Sequence, residues 1–77
     1  MIEYQFTVVI EPDEHGFHAF VPALPGCHSF GDTVDEAQAN IHEAMELHVE
    51  AMLEDGEPVP MQHDPVYVTR ISIPVAV

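Results

Sequence analysis

The sequence predicts an α+β domain, an antiparallel sheet with one long helix packed on one face, and three observations carry that expectation. The N-terminal part alternates apolar and polar positions between Pro- and Gly-containing breaks, a later stretch switches to helical periodicity behind a capping signature, and a β-branched run follows near the end. With 77 residues and 8.6 kDa the chain can bury only about 62% of its unfolded surface, enough for one core and a single domain over residues 1–77.

Strand one rests on Ile2, Tyr4, Phe6, Val8 and Ile10, which share one face while Glu3, Gln5, Thr7 and Glu11 fall mostly on the other. Pro12-Asp13-Glu14-His15-Gly16 reads as a hairpin loop, so strand two is Phe17 to Val21. Pro22-Ala23-Leu24-Pro25-Gly26 is a second turn whose prolines cannot donate to a ladder, which leaves Cys27 to Phe30 as a short third strand. Thr33 followed by Glu36 is a capping box, starting a helix at Val34 that should run to about Glu54. Gly56 offers a left-handed C′ residue there, and Pro58 and Pro60 forbid continuation. Met61 to Pro65 is connector, and Val66 to Ile73, ended by Pro74, is expected to form a fourth strand.

Charge excludes several functions. Fourteen Asp and Glu stand against one basic residue, Arg70, a formal net charge of -13 with all six histidines neutral. Binding to nucleic acid or to an anionic membrane needs lysine and arginine, so neither is expected as a direct partner. There is no basic n-region and no apolar run of about 18 residues, so the chain is expected to be cytoplasmic. Hydrophobic residues make up 47%, too apolar for a disordered acidic tail. Cys27 is the single cysteine, so no intrachain disulfide supports the small core, and oligomerisation is the natural reinforcement.

On the helix, Ala37, Ile41, Ala44, Met45, His48 and Met52 fall within an arc of roughly 100° that should cover the sheet. Asp35, Glu36, Glu43, Glu46, Glu50 and Glu54 fall on the far side with no basic residue among them. This negative rail opposes helix formation, since Glu43–Glu46, Glu46–Glu50 and Glu50–Glu54 are like-charge neighbours costing about 0.2–0.5 kcal/mol each. Leu47 and Leu53 lie beside these carboxylates, outside the apolar stripe, so an exposed apolar contact ringed by negative charge is expected. General adaptation to a salt-rich cytoplasm would also give an acidic surface. It predicts a domain that unfolds at low salt, whereas a partner surface predicts a folded domain whose complex dissociates at high salt.

Other chemistry is weakly signalled. His15, His18, His28, His42, His48 and His63 form no HxxxH pair and no zinc-type spacing with Cys27. His42 and Glu46 stand one turn apart and could pair locally. Cys27 and His28 are adjacent on a strand and point to opposite faces, which makes Cys27 a small buried hydrophobe rather than a nucleophile. No GxSxG, glycine-rich phosphate loop or CxxC is present, so neither an enzyme nor a cofactor is expected.

The ordered set Gly16-Phe17-His18-Ala19-Phe20-Val21-Pro22-Ala23-Leu24-Pro25-Gly26-Cys27, then Gly31-Asp32-Thr33, Glu36-Ala37, Asn40-Ile41 and Glu43-Ala44, resembles the HicB family of antitoxins over about Val8 to Pro60. The resemblance implies a partial ribonuclease-H-like fold in which the fourth strand returns beside the first. It implies an antitoxin of a type II toxin–antitoxin system that blocks a small basic HicA toxin, an mRNA-cleaving endoribonuclease with a catalytic histidine. Many HicB proteins also carry a C-terminal DNA-binding module. No such motif follows the fourth strand here, and DNA binding is not carried over.

Inferred from the acidic helix face and not matched to family contacts, the expected partner-binding residues are Asp32, Asp35, Glu43, Glu46, Leu47, Glu50 and Glu54, and a homo-oligomer interface, dimeric or tetrameric, is expected at Val66, Val68, Arg70, Ile71 and Ile73. The alternative is a stand-alone oligomeric domain with a structural or ligand-sensing role and no toxin.

Overall fold

The computed structural model describes residues 2–61 and 67–76. Three strands, β1 (Val9–Asp13), β2 (Gly16–Phe20) and β3 (His28–Gly31), precede one helix, α1 (Val34–Glu54). The strands pair antiparallel in the order β1-β2-β3, and α1 packs against all three, β3 above all.

Turn chemistry sets the strand limits. Asp13 pairs with Gly16, leaving Glu14 and His15 as a two-residue loop, and Asp13 Oδ1 accepts a hydrogen bond from the His15 amide at 2.8 Å. After β2 the chain makes two successive turns. The Leu24 amide donates to the Val21 carbonyl and the Cys27 amide to the Leu24 carbonyl, both at 3.0 Å, with Pro22 and Pro25 at the second position of each. Gly26 takes φ 84° at the third position of the second turn, as a type II turn requires. The Val21 amide closes the loop on the Cys27 carbonyl at 3.1 Å, and Leu24, 1% exposed, joins the buried core.

Strand one is shorter at its start than the alternation predicts. Val9 lies opposite Phe20, the last residue of β2, so residues 2–8 have no β2 residue facing them and carry no strand assignment. Their pattern is still expressed in packing, because Phe6, Val8 and Ile10 lie against the core. The expected fourth strand is not among the assigned elements. Val66 lies outside the described residues, and residues 67–76 carry no strand assignment and are exposed throughout. A β-patterned segment becomes a strand only when a ladder partner satisfies its backbone, and the three-stranded sheet does not include this one.

The helix has the expected limits. Thr33 is the N-cap, its hydroxyl accepting from the Glu36 amide at 3.0 Å. At the other end Gly56 has φ 70°, its amide donates to the Leu53 carbonyl at 3.2 Å and that of Glu57 to Met52 at 2.9 Å, a Schellman motif. The apolar stripe is wider than the periodicity suggested: Ala37 and Ile41 are buried, Ala44, Met45 and Met52 pack on the core, and so does Val49. At its N-terminal end the helix backbone sits directly on β3. A Cβ on Gly31 would overlap the Ala37 amide nitrogen, so only glycine permits the approach. With Ala19, Val21, Leu24 and Cys27, the two helix residues complete the buried core.

Gly31→Ala is therefore expected to destabilise the domain by about 1–3 kcal/mol, since backbone rather than a movable side chain stands in the way; urea unfolding of the two proteins measures it. Cys27 is free and buried, and desolvation raises its thiol above the ordinary 9.0. A raised thiol contributes stability below the unfolded value and loses it as pH climbs through the folded one. Thermal melts on either side of 9.0 should show the midpoint falling on the alkaline side, with a smaller fall in Cys27→Ala.

Candidate protein-docking surface

The close contact between α1 and β3 fixes which flank of the helix faces outward. Glu43, Glu46, Glu50 and Glu54 are all exposed along it, and the last turn holds no basic residue. Two carboxylates of the rail thus sit at the negative end of the helix dipole, where cations would stabilise. Leu47 is 61% and Leu53 54% exposed beside them, as the pattern predicted. His42 Nε2 lies 3.1 Å from Glu46 Oε1, the i,i+4 contact expected from spacing.

The expected site residues do not all meet. With a rise of about 1.5 Å per residue, Asp35 stands roughly 12 Å along the helix axis from Glu43. Asp32 lies with Glu36 beside the hairpin, in a shallow depression also lined by Asp13, His15 and Phe30. The acidic surface therefore has two parts: the rail of Glu43, Glu46, Leu47, Glu50 and Glu54, and a separate acidic end formed by Asp32, Glu36 and Asp13, with Asp35 in the first helical turn.

Two features escaped the sequence reasoning. One is a groove of about 400 Å³ between the N-terminal segment and the helix, where Tyr4, Phe6, Met45 and Val49 give an apolar floor beside Glu46 and Glu50. It joins residues distant in sequence, of which Tyr4, Phe6 and Met45 had been placed on apolar faces but not beside one another. The other lies on the sheet face opposite the helix, where His18 stacks on Phe20 at 5.6 Å and meets His28 at 5.6 Å and Phe30 at 4.9 Å. His18 Nδ1 is also 3.6 Å from Glu11 Oε1. Its signal was legible: an H-x-F triplet occurs in both strands, and the antiparallel register sets His18 against Phe30 and Phe20 against His28.

Among the described residues no three His, Cys, Asp or Glu side chains converge as a metal-binding set, and no helix is long and apolar enough to cross a membrane. What the surface offers is a row of outward carboxylates around an exposed leucine.

Residues 6–71 match the model of a family described as HicB-like antitoxin of bacterial toxin–antitoxin system. The chain belongs to this HicB-like antitoxin family. A UPF0150 protein of Synechocystis is 48% identical over 60 residues, covering 77% of this chain and 76% of that protein. One from Archaeoglobus fulgidus is 43% identical over 61 residues, 75% of this chain and 88% of the relative. An uncharacterized 14.9 kDa protein of Haemophilus phage HP1 is 46% identical over 55 residues; there the match spans 71% of this chain and 41% of the relative. As a HicB-like domain, the chain carries an antitoxin role in general terms.

Because the rail repels itself, added salt is expected to raise the unfolding midpoint of the isolated protein, and Glu43→Gln, Glu46→Gln and Glu50→Gln together should reproduce much of that gain at low salt. Melts over a salt series check both. An isolated chain that is unfolded at low salt would instead assign the acidity to a salt-rich host.

Proposed function

We propose that this HicB-like chain is the cytoplasmic antitoxin of a HicAB-type pair, a stoichiometric inhibitor that performs no catalysis itself. Its target is a small basic HicA-type toxin, an mRNA endoribonuclease, and docking is through Glu43, Glu46, Leu47, Glu50 and Glu54. Asp32 and Asp35 extend the negative field towards the other end of the helix and steer the approach.

The observation that carries this reading is the exposed rail itself: carboxylates on successive helical turns around a 61% exposed leucine, kept despite their mutual repulsion. A surface that recognises RNA is built from lysine and arginine aimed at phosphates. A rigid row of carboxylates meets the same cations, and Leu47 supplies the apolar contact that a phosphate backbone lacks. Occupying that basic surface excludes the messenger by competition. A short basic protein carrying a histidine, sought in the neighbouring reading frame, is the partner to test.

Combined Glu43→Gln, Glu46→Gln and Glu50→Gln should weaken the complex about 10-fold or more, chiefly at low salt, and leave the helix intact. Calorimetric titration of the neighbouring basic protein at two salt concentrations measures the loss. Affinity unchanged by the three substitutions refutes the rail as the docking site.

A further inference from the structure

Two histidines that lie apart in sequence meet on the sheet face opposite the helix. His18 and Phe20 project from one side of β2, and His28 and Phe30 from the same side of β3. The register sets His18 opposite Phe30 and Phe20 opposite His28, so the two imidazoles are diagonal neighbours. Their ring centroids are 5.6 Å apart, with the planes at 68°. Two imidazoles on one tetrahedral ion, at metal–nitrogen distances of about 2.0–2.1 Å, have centroids roughly 5 Å apart. The folded strands thus bring the pair almost to that spacing.

The surroundings suit an ion. A depression of about 410 Å³ opens beside the rings, lined by both histidines together with Phe20, Pro22 and Pro25. Across from His18 on β1, Glu11 Oε1 lies 3.6 Å from His18 Nδ1. A carboxylate at one ring nitrogen is the outer-shell partner of a ligating histidine: it keeps the proton on Nδ1 and leaves the Nε2 lone pair for a metal. Phe20 and Phe30 flank the His18 ring at 5.6 and 4.9 Å and restrict its plane. His28 is exposed, so its ring turns about χ2 to aim a nitrogen at the same point.

We propose that His18 and His28 bind one divalent transition-metal ion across β2 and β3, with Glu11 orienting His18. Among the described residues no third His, Cys, Asp or Glu converges there, so water completes the coordination shell. Imidazole selects within the class: copper(II) stands above zinc(II) in affinity, while magnesium and calcium prefer oxygen ligands. The chain's charge of -13 gathers cations of every kind, and only the imidazole pair discriminates among them. The ion ties neighbouring strands together, so binding favours the folded sheet. This face lies away from the helix, and the site stands whether or not the acidic rail meets a partner.

Calorimetric titration of the full untagged chain with zinc chloride and with copper sulfate, in excess magnesium chloride, should give one equivalent of either ion, copper the tighter. His18→Gln and His28→Gln should each weaken zinc binding about 10-fold or more, and Glu11→Gln several-fold. Zinc should raise the unfolding midpoint of the wild type and leave that of the doubly substituted chain unmoved. In the wild type, zinc should also shift the ring-nitrogen NMR signals of His18 and His28. No binding in excess magnesium, zinc affinity unaltered in both single variants, or shifts centred on His42 beside Glu46 overturns the proposal. Should a variant fail to fold, the ring-nitrogen shifts of the wild type decide alone.

Discussion

The close seating of the first turns of α1 on β3 is the constraint from which the rest follows. Gly31 has no Cβ, so the Ala37 backbone can rest on the strand, and Thr33 caps the helix two residues after the strand ends. Asn40 then ties the second turn to the Phe30 carbonyl. With the strand, the cap and the second turn all held, the helix cannot rotate about its axis without breaking a hydrogen bond or opening the contact at Gly31. Its azimuth is set there: Ala37 and Ile41 are driven into the core, and Glu43, Leu47, Glu50 and Glu54 are driven out. A helix anchored less tightly could turn Leu47 inward and relieve the repulsion along the rail.

The same seating accounts for what is left uncovered. One helix covers one face of a three-stranded sheet, so the opposite face keeps its His18, Phe20, His28 and Phe30 cluster partly open to solvent. Because the helix packs chiefly on β3, its starting turns blunt that edge and leave the β1 edge unguarded. Six buried hydrophobic side chains among the described residues are a small core for a chain that is 47% hydrophobic. Much of the remaining apolar content lies in the N-terminal segment, on the flank of the helix and in the exposed stretch beyond residue 66.

Local chemistry in the sequence was enough to place β2, β3 and the helix within a residue or so. Proline at the second position of two consecutive turns, the Thr33 cap and the Gly56 stop each act through neighbours a few residues away, so short windows reveal them. Strand one and the fourth strand exposed the limit of the same reasoning. Alternation in residues 2–8 and 67–73 reports that one face will be buried, but a strand exists only where a partner answers its backbone, and that depends on where β2 ends and on what lies alongside. At the candidate site, the exposure of the rail and of Leu47 followed from helical period alone. The separation of Asp32 from Glu43, and the groove between Tyr4 and Val49, depend on long-range packing that no short window contains.

Charge gives the folding of this chain and the proposed docking opposite physics. Docking of the rail onto a cationic surface would gain from attraction, so raising the salt concentration screens it and weakens the complex. The rail's own like-charge neighbours are screened by the same salt, which removes repulsion along the helix and strengthens the fold. A cation set in the rail would relieve the helix and blunt recognition of a basic partner; the chain's one basic residue, Arg70, stands instead on the exposed stretch beyond residue 66. The rail therefore keeps its full negative charge at the expense of helix stability.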